Sequence, residues 1–286
     1  MKSTSFDRVE TLSCGSRIQH GSFNKRIYLI RAASEGLATL PDRLIGLARE
    51  NGYGKIFAKL PESQTPPFFK AGFVLEAEIP AFYQGSEKGM FLGYFLSEER
   101  KNESAHQTYR MNKALALQKR HSRIKPLNTT RFTVRTCRED DLEAMAGIYR
   151  SVFSSYPFPI HDPAYLLKTM RSDVDYFGIE SAGKLIALAS AEKSREALHA
   201  EMTDFATLPG HRGYGLAAHL LLHMEKEMGV QGYLTLFTIA RAASPGMNIT
   251  FARAGYLHGG KLKNNTHIAG QIESMYIWYK HLFTGK

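Results

Sequence analysis

The stretch that decides the fold is Glu201-Met-Thr-Asp-Phe-Ala-Thr-Leu-Pro-Gly-His-Arg-Gly-Tyr-Gly-Leu-Ala217. It predicts a strand, a short loop of the form Arg212-x-x-Gly215-x-Ala217, and the start of a helix. Such a loop presents free backbone N–H groups to an anion, and the helix dipole favours negative charge at the same place. The strand carries two carboxylates, Glu201 and Asp204. The stretch therefore indicates an enzyme that uses a phosphate-bearing cofactor and has a base nearby.

Length and composition narrow the class of protein. The chain has 286 residues, 43% of them hydrophobic and 22% charged, which is ordinary for one large or two average globular domains. The first residues lack the apolar core of a signal peptide, and no apolar run reaches the roughly 18 residues that a membrane span requires. The only two cysteines, Cys14 and Cys137, lie far apart, which argues against a disulfide framework or a cysteine metal site. We therefore expect a cytoplasmic protein without a membrane span or a bound metal.

The positive charge is concentrated in one part of the chain. The net charge is +10, and residues 100–135 contain ten Lys or Arg and a single acid, Glu103. Such a stretch can bind nucleic acid or another anion, or it can be a solvated connector helix. Tyr109 is the one tyrosine in the region and offers no platform for stacking bases. The connector helix is the favoured interpretation, and nucleic-acid binding remains the alternative from a different functional class.

A domain boundary is predicted near Pro126-Leu-Asn-Thr-Thr130, where proline and polar residues end a helical pattern. We divide the chain into an amino-terminal domain (1–99), a basic connector helix and linker (100–130), and a domain that carries the anion loop (131–286). In the last of these, the hydrophobic periodicities predict the order β-α-(α)-β-β-β-α-β-α-β-β. That order favours a mixed sheet with helices on both faces.

The amino-terminal domain is predicted to be a faint copy of the second half of that order. Lys25–Ile30, Lys55–Lys59 and Val74–Pro80 are strand-like, and residues 40–51 are helical in pattern. However, the segment between the first strand and the helix, residues 32–39, contains no arginine and one glycine, so it lacks an anion loop. This domain is either a degenerate half-domain with a structural or dimer-forming role, or an unrelated α/β domain.

A family resemblance follows from three features of residues 131–282. These are the Arg212-x-x-Gly215-x-Ala217 motif, its place after the fourth strand, and the later Gly255-Tyr256 pair. Together they resemble the GNAT acetyltransferase superfamily. The resemblance implies an α/β (α+β) fold with a mixed, mostly antiparallel sheet flanked by helices. It also implies acetyl-CoA as the co-substrate and direct acetyl transfer to an amine. If the amino-terminal domain is the degenerate copy described above, it is a half-domain of the same GNAT type.

Most of the chain is also similar to the narrower family of bacterial and archaeal β-lysine N-acetyltransferases. The similarity lies in residues 201–212, Thr238-Ile-Ala-Arg-Ala242, Glu273-Ser-Met275, Tyr156-Pro-Phe-Pro-Ile-His-Asp-Pro163 and Glu76-Ala-Glu-Ile-Pro-Ala-Phe-Tyr83. That family acetylates the ε-amine of β-lysine to make a compatible solute. The resemblance implies the same reaction for this chain.

The GNAT resemblance also implies which residues bind acetyl-CoA. The diphosphate is expected on Arg212 and on the backbone amides of Gly213, Tyr214, Gly215, Leu216 and Ala217. The pantetheine is expected along Phe205, Ala206 and Thr207, and Asn248 is predicted on the cofactor side, near the departing thiolate. Phe251 stands where the superfamily usually has a tyrosine that protonates the thiolate, so the acid is left open among Asn248, Ser244, Tyr279 and no protein group.

The remaining candidates concern the amine. Because the substrate amine has an unperturbed pKa of about 10.4, a carboxylate must remove its proton. Glu201 is the first choice for this base, and Asp204 is a rival base or a contact to the substrate ammonium. Glu273 is predicted to hold a second ammonium, while Tyr156 and His161 are predicted to contact the acceptor. A packed surface loop is the alternative for the last two.

The sequence thus predicts an acetyl-CoA-dependent N-acetyltransferase with β-lysine as the acceptor. Within this class, the alternative acceptor is another small amine or a protein lysine. A homodimer is possible.

Overall fold

The computed structural model describes residues 6–103, here called the amino-terminal half, and residues 124–282, the carboxy-terminal half. The predicted basic connector helix falls mainly on residues 104–123, outside the described residues. The strands are β1 (Arg8–Thr11), β2 (Arg17–Gly21), β3 (Arg26–Arg31), β4 (Lys55–Pro61), β5 (Val74–Tyr83), β6 (Glu87–Phe95), β7 (Thr133–Thr136), β8 (Val174–Ser181), β9 (Lys184–Ser194), β10 (His199–Thr207), β11 (Thr235–Arg241), β12 (Leu257–Ile268) and β13 (Gln271–His281). The helices are α1 (Leu40–Glu50), α2 (Pro66–Lys70), α3 (Glu98–Lys101), α4 (Leu142–Val152), α5 (Pro163–Met170), α6 (Leu216–Val230) and α7 (Pro245–Arg253).

In the described ranges, the strands form one continuous sheet in the order β1-β2-β3-β4-β6-β5-β12-β13-β11-β10-β9-β8-β7. Two neighbouring pairs, β3 with β4 and β10 with β11, run parallel. The other pairs are antiparallel. The sheet is therefore mixed and mostly antiparallel, with helices packed on it, and the fold class predicted from the sequence is confirmed.

The two halves of the sheet repeat one strand order. In the amino-terminal half the order is β1-β2-β3-β4-β6-β5, and in the carboxy-terminal half β8-β9-β10-β11-β13-β12 follows the same pattern. The sequence pattern missed β1, β2 and β6, and β6 lies in the interior of the sheet because it pairs with both β4 and β5. The domain limits 1–99, 100–130 and 131–286 remain a prediction, since a single sheet runs through both halves.

The halves meet where β5 pairs with β12, and this join depends on a very close approach of two backbones. Gly260 of β12 pairs with Ala77 of β5, and a Cβ at Gly260 would lie 2.5 Å from the Ala77 Cα atom. Beside the join, the Lys55 ammonium lies 2.7 Å from the Glu76 carboxylate, with 0% and 3% of the two side chains exposed. Both groups also bind the backbone of Lys263 in β12. A buried ion pair of the amino-terminal half thus fastens β12 to it.

The sheet is strongly curved. β4 and β11 are five positions apart in the sheet order, which would separate them by about 24 Å in a flat sheet with a strand spacing near 4.8 Å. Yet the Lys59 ammonium on β4 lies 5.2 Å from the ring centroid of Phe237 on β11. Phe57, Phe82, Phe91 and Phe237 join the halves in one apolar cluster on this concave side. The curvature brings residues that are far apart in the sheet order to a common space.

The helices of the carboxy-terminal half cover both faces of its strands. Leu216, Leu220, Leu221 and Met224 recur at helical spacing and pack α6 on one face with Met202 of β10. Helices α4 and α5 pack on the opposite face, where Leu188 of β9 is buried. Residues of β10 that alternate with Met202 therefore face the side of α4 and α5. No helix in the described parts of the chain is long and apolar enough to cross a membrane.

Candidate active site

The cleft forms where two parallel strands separate. β10 and β11 pair over His199, Ala200 and Glu201, and then diverge. Directly after this point, the register between β10 and β9 shifts between Thr203 and Ala206, so Asp204 and Phe205 bulge from the ladder. Asp204 has a φ of 55°, which non-glycine residues rarely adopt. Such strained bulges are frequent beside active sites because they redirect side chains and free backbone groups.

A cavity of about 1530 Å³ lies at this cleft and is walled by both halves of the chain. Its size is sufficient for a ligand larger than most drug-like molecules. The carboxy-terminal half contributes Glu192, Glu201, Asp204, Phe205, Tyr156, Ser244 and Phe251, and the amino-terminal half contributes Tyr28, Phe57 and Lys59. The structure therefore brings four of the predicted site residues, Glu201, Asp204, Phe205 and Tyr156, to one cavity.

Two carboxylates face each other across the β9–β10 ladder. Glu201 is half-buried and pairs in register with the more exposed Glu192. Loss of hydration within the cavity raises the pKa of Glu201 to about 7, while the charge of Lys59 opposes the increase. Loss of hydration and the charge of Glu201 also raise the pKa of Glu192. Among the described residues, no cationic side chain forms an ion pair with either carboxylate, so Glu201 has the properties of a base that works near neutral pH.

Asp204 is held in place by hydroxyl groups. The Tyr156 hydroxyl donates to one carboxylate oxygen, and the Ser190 hydroxyl donates to the other at 2.6 Å. Burial raises the pKa of Asp204, and these hydrogen bonds oppose the increase. Since both of its oxygens already accept hydrogen bonds, Asp204 is less available to a substrate amine than Glu201. Its evident effect is to fix Tyr156 at the cavity wall.

The loop before α6 has the features of an anion site. Gly213 and Gly215 have φ values of 88° and 72°, and Gly215 is the N-cap of α6. Within the described part of the chain, the backbone amides of residues 213–217 donate no hydrogen bond to another backbone group. Arg131 stacks 4.6 Å from the exposed Tyr214 ring, and Arg212 is exposed beside the loop. Free amides, a helix N-terminus and two guanidinium groups together suit a diphosphate.

Replacing Gly215 with Ala tests this loop. A Cβ at Gly215 meets no atom within 4 Å, so the substituent would stand in the space that a diphosphate needs. We expect the KM for acetyl-CoA to rise about 10-fold, and the left-handed backbone to cost roughly 1–2 kcal/mol of stability. The control is Gly183→Ala, which has the same φ of 72° and the same free space in the β8–β9 turn. Equal KM changes in the two variants, measured by steady-state kinetics, would contradict a diphosphate site at the loop.

The region expected to hold the pantetheine follows the bulge. Phe205 lines the cavity and packs against Phe251, with ring centroids 5.6 Å apart. Ala206 is buried under α4, and the Thr207 carbonyl accepts a hydrogen bond from Arg212. Phe251 lines the cavity, so this part of the wall is an aromatic ring without a hydroxyl group. Ser244, the residue before α7, also lines this cavity and carries a hydroxyl group.

Three residues that were predicted to contact the thiolate or the acceptor do not line the cavity: Asn248, Glu273 and His161. The side chain of Asn248 is fully buried, and its amide binds the Arg241 and Ser244 carbonyls and the Trp278 indole. It therefore fastens α7 to β11 and β13 rather than facing a ligand. The Glu273 carboxylate is buried in a two-bond pair with Arg241, so its charge is already neutralised. Neither these two residues nor His161 lines the cavity.

The sequence reasoning missed Glu192, which lines the cavity, and Ser190, which is buried and donates to Asp204. It also missed Tyr28 and Lys59 of the amino-terminal half, which line the cavity. A signal existed for the first two, because a β9–β10 hairpin closed by Ser194 and His199 places Glu192 opposite Glu201 and Ser190 opposite Thr203. No local signal exists for Tyr28 and Lys59, since only the curvature of the sheet brings them to the site. Among the described residues, no group of three or more His, Cys, Asp or Glu side chains could hold a metal ion.

Comparison with known proteins shows which family this chain is similar to. Residues 142–256 match the acetyltransferase (GNAT) family. A β-lysine N(6)-acetyltransferase of Methanococcus maripaludis is 36% identical, with 93% of this chain and 96% of the relative covered. N-acetyltransferase YodP of Bacillus subtilis is 35% identical over 93% of this chain and 95% of the relative. A β-lysine N(6)-acetyltransferase of Methanosarcina mazei is 40% identical over 53% of this chain and 56% of the relative.

These matches confirm the resemblance predicted from the sequence. The family model covers the anion loop and the bulged strand, and the first two relatives each match 93% of the chain. The chain belongs to the GNAT acetyltransferase family and is an enzyme that transfers an acetyl group to an amine.

Proposed function

We propose that this enzyme transfers the acetyl group of acetyl-CoA directly to the ε-amine of β-lysine, in a ternary complex in the cytoplasm. The observation that carries the proposal is the Glu201 carboxylate, which is free of cationic partners among the described residues and lies where β10 and β11 separate. The free amides of residues 213–217 support acetyl-CoA as the donor. The names of two relatives support β-lysine as the acceptor.

In this mechanism, Glu201 prepares the nucleophile. The ε-ammonium gives one proton to the Glu201 carboxylate, directly or through water, and becomes a neutral amine. The amine nitrogen then attacks the thioester carbonyl carbon, so that a C–N bond forms and the carbonyl oxygen becomes an oxyanion. Because the pKa of Glu201 is raised to about 7, the carboxylate is a stronger base than an exposed glutamate.

The bulge and the cavity wall serve the second half of the reaction. A backbone N–H freed at the bulge beside Phe205 and Ala206 stabilises the oxyanion. When the oxyanion collapses, the C–S bond breaks and CoA departs as a thiolate. The nitrogen gives its extra proton to water, which leaves a neutral amide. Phe251 cannot protonate the thiolate, and the amide of Asn248 is engaged within the protein. Ser244 is the hydroxyl on this wall that can assist, and otherwise the thiolate leaves without protein acid.

The product chemistry agrees with a compatible solute. β-Lysine carries two ammonium groups and one carboxylate, so its net charge near neutral pH is positive. Acetylation of the ε-amine removes one charge and leaves a zwitterion of zero net charge. Such a solute can accumulate without changing the ionic balance or binding strongly to nucleic acid. We therefore propose a role in osmoprotection.

An acceptor panel tests the proposal. Thiol release from acetyl-CoA is measured with β-lysine, lysine, spermidine and an aminoglycoside. We expect β-lysine to have the highest kcat/KM, by about 10-fold or more, because a site that pairs every charge of one acceptor discriminates against others. Preference for another amine would contradict the acceptor assignment. Absence of thiol release with every amine would contradict acetyl transfer itself.

A further inference from the structure

Lys59 of the amino-terminal half lies on the cavity wall opposite the carboxylates of the carboxy-terminal half. It is half-buried on β4 and its ammonium lies 5.2 Å from the ring centroid of Phe237. Phe237 is the residue on β11 that pairs with Glu201. The positive charge of Lys59 is close enough to Glu201 and Glu192 to oppose the increase in the pKa of both carboxylates. Of the cationic residues that the amino-terminal half contributes to the cavity, Lys59 is the one whose charge acts on both carboxylates.

The ammonium of Lys59 is unpaired. In the parts of the chain that the structure describes, it forms no ion pair and no hydrogen bond with another residue; its neighbours are the faces of Phe237 and Phe82, at 5.2 and 6.0 Å. By contrast, Lys55 on the same strand is paired with Glu76. A partly desolvated cation on an aromatic wall has lost hydration without gaining an anion. Such a group is a binding element for a ligand anion.

Strand register shows how this wall differs from the catalytic one. Tyr28 pairs with Phe57 in the amino-terminal half, as Glu201 pairs with Phe237 in the other. Gln19 pairs with Tyr28, as Glu192 pairs with Glu201. The carboxylates of the catalytic wall are thus replaced by neutral groups at the equivalent positions. Burial and the charge of Glu201 raise the pKa of Tyr28, which keeps its hydroxyl a neutral hydrogen-bond donor.

The cavity therefore offers carboxylates on one wall and an unpaired cation on the other. An acceptor that has only amines would leave the Lys59 charge without a partner and would place more positive charge beside it. An acceptor with an amine at one end and a carboxylate at the other satisfies both walls. We infer that Lys59 binds the carboxylate of the acceptor, so that the amino-terminal half selects amino acids over diamines. The inference rests on the proposed function, because it assumes a carboxylate-bearing acceptor.

The test compares β-lysine with 1,4-diaminopentane, which is the same molecule without its carboxylate. In the Lys59→Met variant of the full-length enzyme, we expect kcat/KM for β-lysine to fall about 10- to 100-fold, mainly through KM, because a charge-assisted contact is lost. For 1,4-diaminopentane, we expect kcat/KM to stay within about twofold or to rise. Lys59→Arg should retain most of the β-lysine activity. The control is Lys70→Met, an exposed lysine of α2 outside the cavity.

The outcomes separate this inference from the proposed function. If the parent enzyme acetylates neither β-lysine nor another amino acid, the proposed function fails before Lys59 is tested. If it acetylates β-lysine and Lys59→Met slows both acceptors equally, Lys59 acts on the Glu201 base and the inference is overturned. If Lys59→Met does not fold, as judged by circular dichroism, the ratio of the two kcat/KM values in Lys59→Arg and Lys59→Gln decides. An unchanged ratio in Lys59→Gln also overturns it.

Discussion

The Glu201→Gln variant is expected to lose about 10²- to 10⁴-fold in kcat/KM for the amine acceptor, which is the usual contribution of a positioned general base. Glutamine keeps the size of the side chain at the cleft and cannot accept the ammonium proton. The KM for acetyl-CoA should change little, because the predicted diphosphate loop lies beyond the bulge in sequence and its residues 213–215 are exposed at the surface. Glu143→Gln, the same change at an exposed position of α4 outside the cavity, should leave the rate within about twofold. Initial rates of thiol release give both quantities.

The pH profile identifies the base more firmly than the rate alone. Since burial raises the pKa of Glu201 to about 7, kcat/KM should increase as the pH rises through about 7, where the carboxylate loses its proton. Above that pH the profile should be level, because Glu201 takes the proton from the bound ammonium. In Glu201→Gln, the increase near pH 7 should be lost, and the rate should instead follow the fraction of free amine, whose pKa is about 10.4. If the inflection near pH 7 survives in this variant, another group such as Glu192 or Asp204 is the base.

The Lys55→Met variant is expected to lower the free energy of unfolding by about 3–5 kcal/mol. The substitution removes one partner of a buried ion pair and leaves the Glu76 carboxylate without a counter-ion at a site that is 3% exposed. It also removes the hydrogen bond from Lys55 to the Lys263 carbonyl, which helps to hold β12 against the amino-terminal half. Urea unfolding followed by circular dichroism measures the change.

A second variant shows whether the unpaired charge causes this loss. Replacing both partners, in Lys55→Met with Glu76→Met, should recover at least half of the stability, because apolar groups can substitute for a buried pair. The surface change Lys70→Met should stay within about 0.5 kcal/mol of the parent. A double variant no more stable than Lys55→Met would mean that the contacts to Lys263, and not the unpaired carboxylate, dominate.

The sequence was sufficient for features that depend on near neighbours along the chain. The anion loop, its glycines and the apolar face of α6 lie within one short segment, and the structure has them in the predicted form. The order of elements after Phe132 was predictable for the same reason. Strand β6 was missed because Gly89 and Gly93 interrupt its apolar pattern, and the structure shows that Phe82 and Glu76 occupy the space beside these glycines.

The rest of the site depends on long-range partners, which a single sequence does not reveal. Glu273 has the residue type of an ammonium contact, but Arg241 from the adjacent strand neutralises it. Asn248 lies close in sequence to Phe251, the position of the usual thiolate acid. However, its side-chain amide is already hydrogen-bonded to Trp278 and to two backbone carbonyls. Lys59 gains its position only through the curvature of a sheet that both halves build.

The pairing of β5 with β12 has a consequence for how this enzyme can diversify. In a symmetric homodimer, every substitution occurs twice, so a change that suits one copy of a surface is imposed on the other. Here two halves with the same strand order belong to one polypeptide and pair within one sheet, so they are encoded separately. Each half can therefore accept substitutions independently of the other half. Substitutions in one half can therefore change the acceptor preference while selection conserves the catalytic residues of the other half.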